Sequence, residues 1–271
     1  MAIRKKSVDT LPEVASDFVW AVSSGSHHEP HSLLGAHPHE KGWVIRALRP
    51  MAKSVSAVVD GEKVELSHLE NGLWQGYVAS KKVPDYRITT AYQDGSVWTT
   101  DDPYRHLPTI GDLDLHLISE GRHEDLWNAL GSHIHSVKGD LGLSHGTRFA
   151  VWAPNAQAVR VVGEFNSWNG IAHSMRVMGS SGVWEIFIPG VGAGTKYKYE
   201  ILTRDGNWIT KIDPLAQHTE VPPSTASIVT ESTHKWNDKT WLDARTKRDA
   251  LKAPMSIYEL HAGSWRQGLD Y

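Results

Sequence analysis

Gly72-Leu-Trp-Gln-Gly-Tyr-Val78 and Gly182-Val-Trp-Glu-Ile-Phe-Ile188 are two versions of one strand. Each opens on Gly, sets Trp third and runs on through apolar residues. In the second version Trp184, Ile186 and Ile188 alternate, so they share one face of a strand and turn inward. Trp74 holds the same place in the first version. The likeness extends outward in both directions. Leu34-Gly-Ala-His37 matches Leu130-Gly-Ser-His133, and Arg46-Ala-Leu-Arg-Pro50 matches Ala150-Val-Trp-Ala-Pro154. Asp94-Gly95 matches Asp205-Gly206, and Asp101-Asp-Pro-Tyr104 matches Ile212-Asp-Pro-Leu215. In chain order the offsets are 96, 104, 110, 111 and 111 residues. They never shrink, as expected when insertions accumulate in the second copy. The order predicts two related domains in tandem.

Each copy reads as a β-sandwich. Trp43–Leu48, Val55–Val59, Leu73–Val78 and Tyr86–Tyr92 are short strand candidates, and Asp94-Gly95 is a two-residue hairpin signal. Short strands at this spacing suit an immunoglobulin-like sandwich. The expected order is a short N-terminal helix over 1–24, a first β-sandwich over 25–110, a linker over 111–128 with a strand or short helix, a second sandwich over 129–232 and a linker over 233–254. In the first segment Leu11, Val14, Ala15, Phe18, Val19 and Val22 follow helical spacing, with Thr10 and Glu13 as a capping box. Asn237-Asp238 is read as the cap of a helix toward Leu251. Ile257-Tyr-Glu-Leu-His261, inside the closing segment 255–271, reads as a strand. The fold class is therefore mainly β.

Composition excludes several classes of function. In 271 residues, 28 Lys and Arg face 31 Asp and Glu, a net charge of −3 that gives no field for nucleic acid or an anionic membrane. Cys is absent, which removes disulfides, thiolate metal sites and Cys nucleophiles. The longest apolar runs, Phe18–Val22 and Phe149–Ala153, fall far short of the roughly 20 residues of a membrane span. They also fall short of the apolar core of a signal peptide, so a cytoplasmic monomer is expected. His27, His28, His31, His37, His39, His133 and His135 cluster in sequence, yet no acidic or Cys partner recurs at ligand spacing, and no metal or other cofactor is assigned. No nucleophile elbow, phosphate-binding loop or dinucleotide fingerprint is present, and no motif sets a pair of carboxylates for glycosidase chemistry.

One count stands out: 12 Trp against 4 Phe. A core alone favours Phe, which carries no N–H in need of a partner. Trp74, Trp152 and Trp184 read as core. Trp168 lies in the polar, turn-rich stretch Gly163-Glu-Phe-Asn-Ser-Trp-Asn-Gly170, after alternation has stopped. Trp208 follows the Asp205-Gly206 turn. Between them Tyr197, Tyr199 and Ile201 face one side of a strand, and Lys196, Lys198 and Glu200 the other. Two flat rings beside Lys and Asn donors suit a sugar polymer, whose C–H faces stack on indole. The competing reading is a pair of exposed anchors for a neighbouring domain.

The second copy resembles the starch- and glycogen-binding modules of α-amylase-type glucan enzymes and glycogen-sensing kinase subunits. The resemblance rests on Phe149-Ala-Val-Trp-Ala-Pro-Asn-Ala156, Val161-Val-Gly-Glu-Phe-Asn-Ser-Trp-Asn169, Tyr197-Lys-Tyr-Glu200 and Asp213-Pro214. With Pro30-His-Ser-Leu-Leu-Gly-Ala-His37, Asp101-Asp-Pro-Tyr-Arg105 and Ile257-Tyr-Glu-Leu-His-Ala-Gly-Ser-Trp-Arg266, the whole chain is similar to the bacterial 1,4-α-glucan (glycogen) branching enzymes. This resemblance implies an α-1,4-glucan partner (glycogen, amylose or maltooligosaccharides) and a carbohydrate-binding set of Trp168, Lys198 and Trp208. An Asn that touches sugar in those relatives falls near Ser227. The first copy has Val58-Val-Asp-Gly-Glu62 where the second has its Trp loop, so it is expected to act as a spacer.

In that family Ile257–His261 opens a (β/α)8 barrel, which takes about 250 residues, and only 15 residues lie from 257 onward. The expectation is thus the first strand of an otherwise absent barrel, with no catalytic residue present. Glucan is then bound without the retaining double displacement that moves a chain to a 6-hydroxyl. A free-standing, non-enzymatic glycogen-binding adaptor is the alternative.

Overall fold

The computed structural model describes residues 11–268. Two compact units divide the chain, the first ending at Glu231 and the second beginning at Ser232.

The first unit starts with helix α1 (Ser16–Ser23). It is shorter than its apolar spacing predicts. Ala15 is extended, at φ −62° and ψ 136°, and caps the helix without a side-chain bond. Thr10 of the expected capping box lies outside the described residues. Val14 and Phe18, on either side of the helix start, both pack on the core, so tertiary burial overrides the local signal.

Strands β1 (Gly35–His39), β2 (Gly42–Leu48), β3 (Ala52–Val59), β4 (Glu62–His68), β5 (Leu73–Val78), β6 (Tyr86–Tyr92) and β7 (Val97–Thr100) follow. They hydrogen-bond in the order β1-β2-β5-β4-β3-β6-β7. β4 makes this ribbon a sandwich. Its first five residues pair with β3, whereas Ser67 and His68 pair with Gln75 and Trp74 of β5. A strand that changes partner turns the corner between two layers. Gly76 of β5 permits the crossing: a Cβ there would lie 2.5 Å from Leu66 Cδ2. This explains why the first copy has Gly where the second has Ile186. Ile45, Ala57, Leu66, Trp74, Tyr86 and Ile88 fill the space between the layers.

Helices α2 (Asp112–Ser119) and α3 (Leu126–Ala129) occupy the connecting stretch. The second sandwich comprises β8 (Gly131–Gly139), β9 (Gly142–Trp152), β10 (Ala158–Gly163), β11 (Arg176–Val177), β12 (Val183–Pro189), β13 (Lys196–Leu202), β14 (Trp208–Lys211) and β15 (Ser227–Ile228). One sheet runs β11-β12-β9-β8; the other runs β10-β13-β14, with β15 also on β13.

The repeat is repeated chemistry. Trp74 Nε1 donates to Arg49 O at 3.2 Å, and Trp184 Nε1 to Ala153 O at 3.0 Å. Tyr86 OH donates to Asp102 Oδ2, and Tyr197 OH to Asp213 Oδ2, each at 2.6 Å. His37 Nε2 meets Leu34 O at 3.0 Å, and His133 Nε2 meets Leu130 O at 2.8 Å. Gly72 and Gly182, at φ +78° and +74°, press on Pro50 and Pro154 so closely that a Cβ would clash. The sequence matches therefore mark residues that close the same turns in both copies.

The two sandwiches do not keep separate interiors. The second core, built on Phe149, Val161, Trp184, Ile186, Tyr197 and Tyr199, also takes in Val19, Val22, Leu34, Leu48, Leu73 and Tyr104. Polar bonds fasten the same junction. Tyr104 OH donates to Ala172 O at 3.2 Å and accepts from Ser174 N at 3.0 Å. Arg105 joins Asp85 at 2.9 Å, pairs with Asp101 and donates to Ser144 Oγ at 2.9 Å. Burial opposes ionisation of Asp101, but hydrogen bonds from His106, Arg105 and Ser144 outweigh it and hold its carboxyl well below the usual range. Glu185, fully buried, accepts from Arg176 at 2.9 Å and from Thr109 Oγ1 at 2.6 Å.

The second unit contains α4 (Lys239–Thr246) and α5 (Ala262–Trp265). Asp238 stands at the N-cap of α4 without a side-chain bond, and the helix stops short of Leu251. The strand expected at Ile257–His261 does not form. Among the described residues nothing pairs with it, and a lone strand has no partner for its backbone groups. Its apolar side chains stay exposed.

Candidate functional site

The sheet of β10 and β13 orders the candidate residues. Its register runs from Ala158↔Leu202 to Gly163↔Tyr197. Tyr197 and Tyr199 are fully buried, and both hydroxyls reach Asp213 Oδ2, at 2.6 and 3.3 Å. Burial pushes both phenols above their ordinary pKa, and the Asp213 charge adds to this. Burial also raises Asp213. Alternation then puts Lys196, Lys198 and Glu200 on the outer face.

At the end of β10 the chain must turn sharply. A Cβ on Gly163 would lie 2.4 Å from Lys196 O, so only Gly fits. Asn166 folds the next turn back: its Oδ1 accepts from Gly163 N, and its Nδ2 donates to Val161 O, both at 2.9 Å. Ser167 and Trp168 follow in the left-handed region, at φ 53° and 61°. Two consecutive non-Gly residues there are unusual, and for a bulky ring the conformation is strained. Trp168 N donates to Gly163 O at 2.9 Å, which locks the turn. The ring is 43% exposed. Strain of this kind persists where the surroundings over-determine it, and it concentrates at ligand-binding segments.

Lys198 pairs with Val162, one register position from Gly163. Its Nζ donates to Thr225 Oγ1 at 2.8 Å, and among the described residues it forms no ion pair, although its charge acts on Glu220. Neighbouring Lys196, by contrast, is held by Glu220 at 2.9 Å. Trp208 opens β14 opposite Leu202. That is four residues along β13 from Lys198, roughly 14 Å at 3.4 Å per residue. The structure thus puts the Trp168 turn and Lys198 at one end of the β10–β13 pair, and Trp208 at the other.

One face of Trp208 is covered, which the sequence reading missed. The Arg160 guanidinium stacks 3.8 Å from the ring centroid. Arg160 is itself fixed by Glu200 at 2.6 Å and by Ser24 O at 3.1 Å. The signal was available: Arg160 and Glu200 are cross-strand partners on the outer face.

Three of the tryptophans spend their indole N–H within the fold. Trp74, Trp184 and Trp152 each donate Nε1 to a backbone carbonyl. Trp168 and Trp208 have no such acceptor among the described residues. Trp152, expected in the core, is 56% exposed. It follows Val151, which faces inward with Phe149, so alternation turns Trp152 out. Ser227 is wholly buried, with Oγ accepting from Asp213 N at 3.0 Å, so this position supports the strand end from inside.

Residues 16–104 match the family model of the alpha-1,4-glucan branching enzyme GlgB N-terminal domain. Residues 129–216 match that of carbohydrate-binding module 48, the isoamylase N-terminal domain. Over 268 residues the chain is 53% identical to a 1,4-alpha-glucan branching enzyme GlgB of Leifsonia xyli subsp. xyli, covering 96% of this chain and 36% of that protein. Over 252 residues it is 55% identical to the enzyme of the same name from Thermobifida fusca, covering 93% of this chain and 34% of that protein. The chain thus spans about a third of the length of these relatives.

Proposed function

Because the chain belongs to the 1,4-alpha-glucan branching enzyme family, carrying its N-terminal domain and a carbohydrate-binding module 48, we propose that the outer face of β10, β13 and β14 binds an α-1,4-glucan chain. Trp168 stacks on a sugar ring, Lys198 donates to hydroxyls, and Trp208 supports the chain further along. The activity we assign to the family enzyme is transfer of α-1,4-glucan segments to 6-hydroxyls in glycogen synthesis. The residues described here serve it by holding substrate, and bond transfer belongs to the two thirds of the relatives that this sequence does not span. A weak platform of this kind raises the local concentration of the polymer for a tethered active site.

In the same reading, residues 25–110 and 129–232 are the two modules, and 111–128 connects them through α2 and α3. The chain works in the cytoplasm as a monomer, with no nucleic-acid or membrane partner. No helix among the described residues is long and apolar enough to cross a membrane.

One observation carries the proposal: a strained, left-handed Trp168 exposes its indole on the turn that leaves β10 where β10 pairs with Lys198. The test is glycogen co-sedimentation of Trp168→Ala and Trp208→Ala. Loss of a stacking ring is expected to weaken binding by about 1–3 kcal/mol, by analogy with bases on aromatic platforms. Unchanged binding in both variants overturns the proposal.

A further inference from the structure

A cleft of about 670 Å³ opens between the two sandwiches. One wall comes from the first module. On β6, Tyr86 and Ile88 face that module's core. The next residues of the same parity, Thr90 and Tyr92, line the cleft instead. On β7, Trp98 pairs with Thr90 and Thr100 with Ile88, and both also line it. The inner face of this sheet therefore outgrows its own core. The opposite wall is the Phe165–Asn169 turn, the segment that tips Trp168 outward.

The chemistry of the walls is that of a sugar site. Trp98 is 64% exposed, and its Nε1 has no acceptor among the described residues. At the base, Thr90 is almost fully buried, and its hydroxyl has no protein partner among the described residues. Asn169 uses Oδ1 to accept from Ile171 N at 3.1 Å, which leaves its Nδ2 as a donor. Arg49 spends one N–H on Leu48 O at 2.8 Å and keeps the others. A flat apolar ring with a few unspent donors and acceptors, in a cleft of this size, fits a small neutral polyhydroxylated ligand.

We infer that this cleft is a second saccharide subsite, in which Trp98 and Tyr92 of the first module stack on the same α-1,4-glucan chain that Trp168 holds. The ligand class rests on the proposed function above; the site itself rests on the cleft. The Phe165–Asn169 turn is the common element, since it forms one wall of the cleft and carries Trp168. A chain long enough to cross it meets Trp168 on one side and Trp98 on the other. The first module is then part of the binding surface rather than a spacer.

The test titrates the whole chain with maltotriose and with maltoheptaose by calorimetry. Trp98→Ala is expected to weaken maltoheptaose about tenfold and leave maltotriose unchanged, the loss expected from one stacked ring. Trp98→Phe, which keeps a flat face, retains most of the affinity. Asn169→Ala probes the other wall and is expected to weaken maltoheptaose. Unchanged thermal unfolding checks that the exposed substitution has not disturbed the fold. Trp98→Ala binding both sugars as the parent does overturns the inference and leaves the outer-face reading to stand. If Trp98→Ala loses affinity while Trp168→Ala and Trp208→Ala do not, the outer-face reading fails and the cleft stands. No binding of either sugar by the parent chain overturns both.

Discussion

Trp168 offers a way to separate backbone strain from ligand contact. At φ 61° any L side chain pays a steric cost that Gly does not, roughly 1–2 kcal/mol. Gly in turn loses more freedom on folding, worth about 0.4–1 kcal/mol. Trp168→Ala and Trp168→Gly both remove the ring, and they differ only in these two terms. The Gly variant should therefore be more stable than the Ala variant by about 0.5–1 kcal/mol, the reverse of the usual order. In urea unfolding this appears as a higher midpoint at unchanged slope, and in a thermal scan as a rise of about 1–4 °C. In glycogen co-sedimentation the two variants should be equally impaired, because the lost contact is the same. If the Ala variant is the more stable, the left-handed turn is not the conformation in solution, and Trp168 carries no strain that would mark it as a contact. If the Gly variant recovers binding, the ring is not the contact.

Three further outcomes follow from the same structure. Trp184→Ala should destabilise the first unit by about 3–5 kcal/mol, as for other buried aromatic truncations, and is read by urea unfolding; a loss under 1 kcal/mol would remove Trp184 from the core. Tyr86→Phe and Tyr197→Phe each take the hydroxyl from a buried Asp at 2.6 Å, so each should cost about 1–3 kcal/mol in urea unfolding, Tyr197→Phe the less because Asp213 keeps the Tyr199 hydroxyl, and no loss in either variant would argue against the shared Tyr–Asp bond. Asp101 is depressed in the fold, so its stabilisation is complete above the unfolded value of about 3.9 and is lost as pH falls from there toward its lower folded value. Asp101→Asn should lower stability at neutral pH by about 3 kcal/mol and flatten that acid limb, and an unaltered acid limb would refute the assignment.

The fold was legible wherever a residue closes a turn or fills a core. Gly182, Trp184 and Asp213 stand out in the sequence because each makes a bond that its counterpart, Gly72, Trp74 or Asp102, makes too. Trp152 misled because a run of apolar residues hides which of them alternate inward. The helix start misled because the capping signal before Ser16 competes with burial of Val14 and Phe18. Ile257–His261 has strand periodicity, but periodicity names a face and not the neighbour that must pair with it. The candidate site was half legible. A Trp on a polar loop can be read from sequence, whereas its left-handed backbone and the Arg160 stack on Trp208 depend on the register of β10 and β13. Trp98 could not be read at all, because the cleft it lines is made by two modules and neither sequence copy contains it alone.

The common interior of the two modules changes what a domain border means here. A cut before Gly131 would separate Leu34, Leu48, Leu73 and Tyr104 from the core that buries them and leave an open wound on Phe149, Val161 and Trp184. The two copies pack as one block through a single core. Substitutions at Leu48 or Tyr104, on the far copy, will therefore register at the β10–β13 face without touching it. The β10–β13 face rests on the interior of the whole block rather than of a single sandwich.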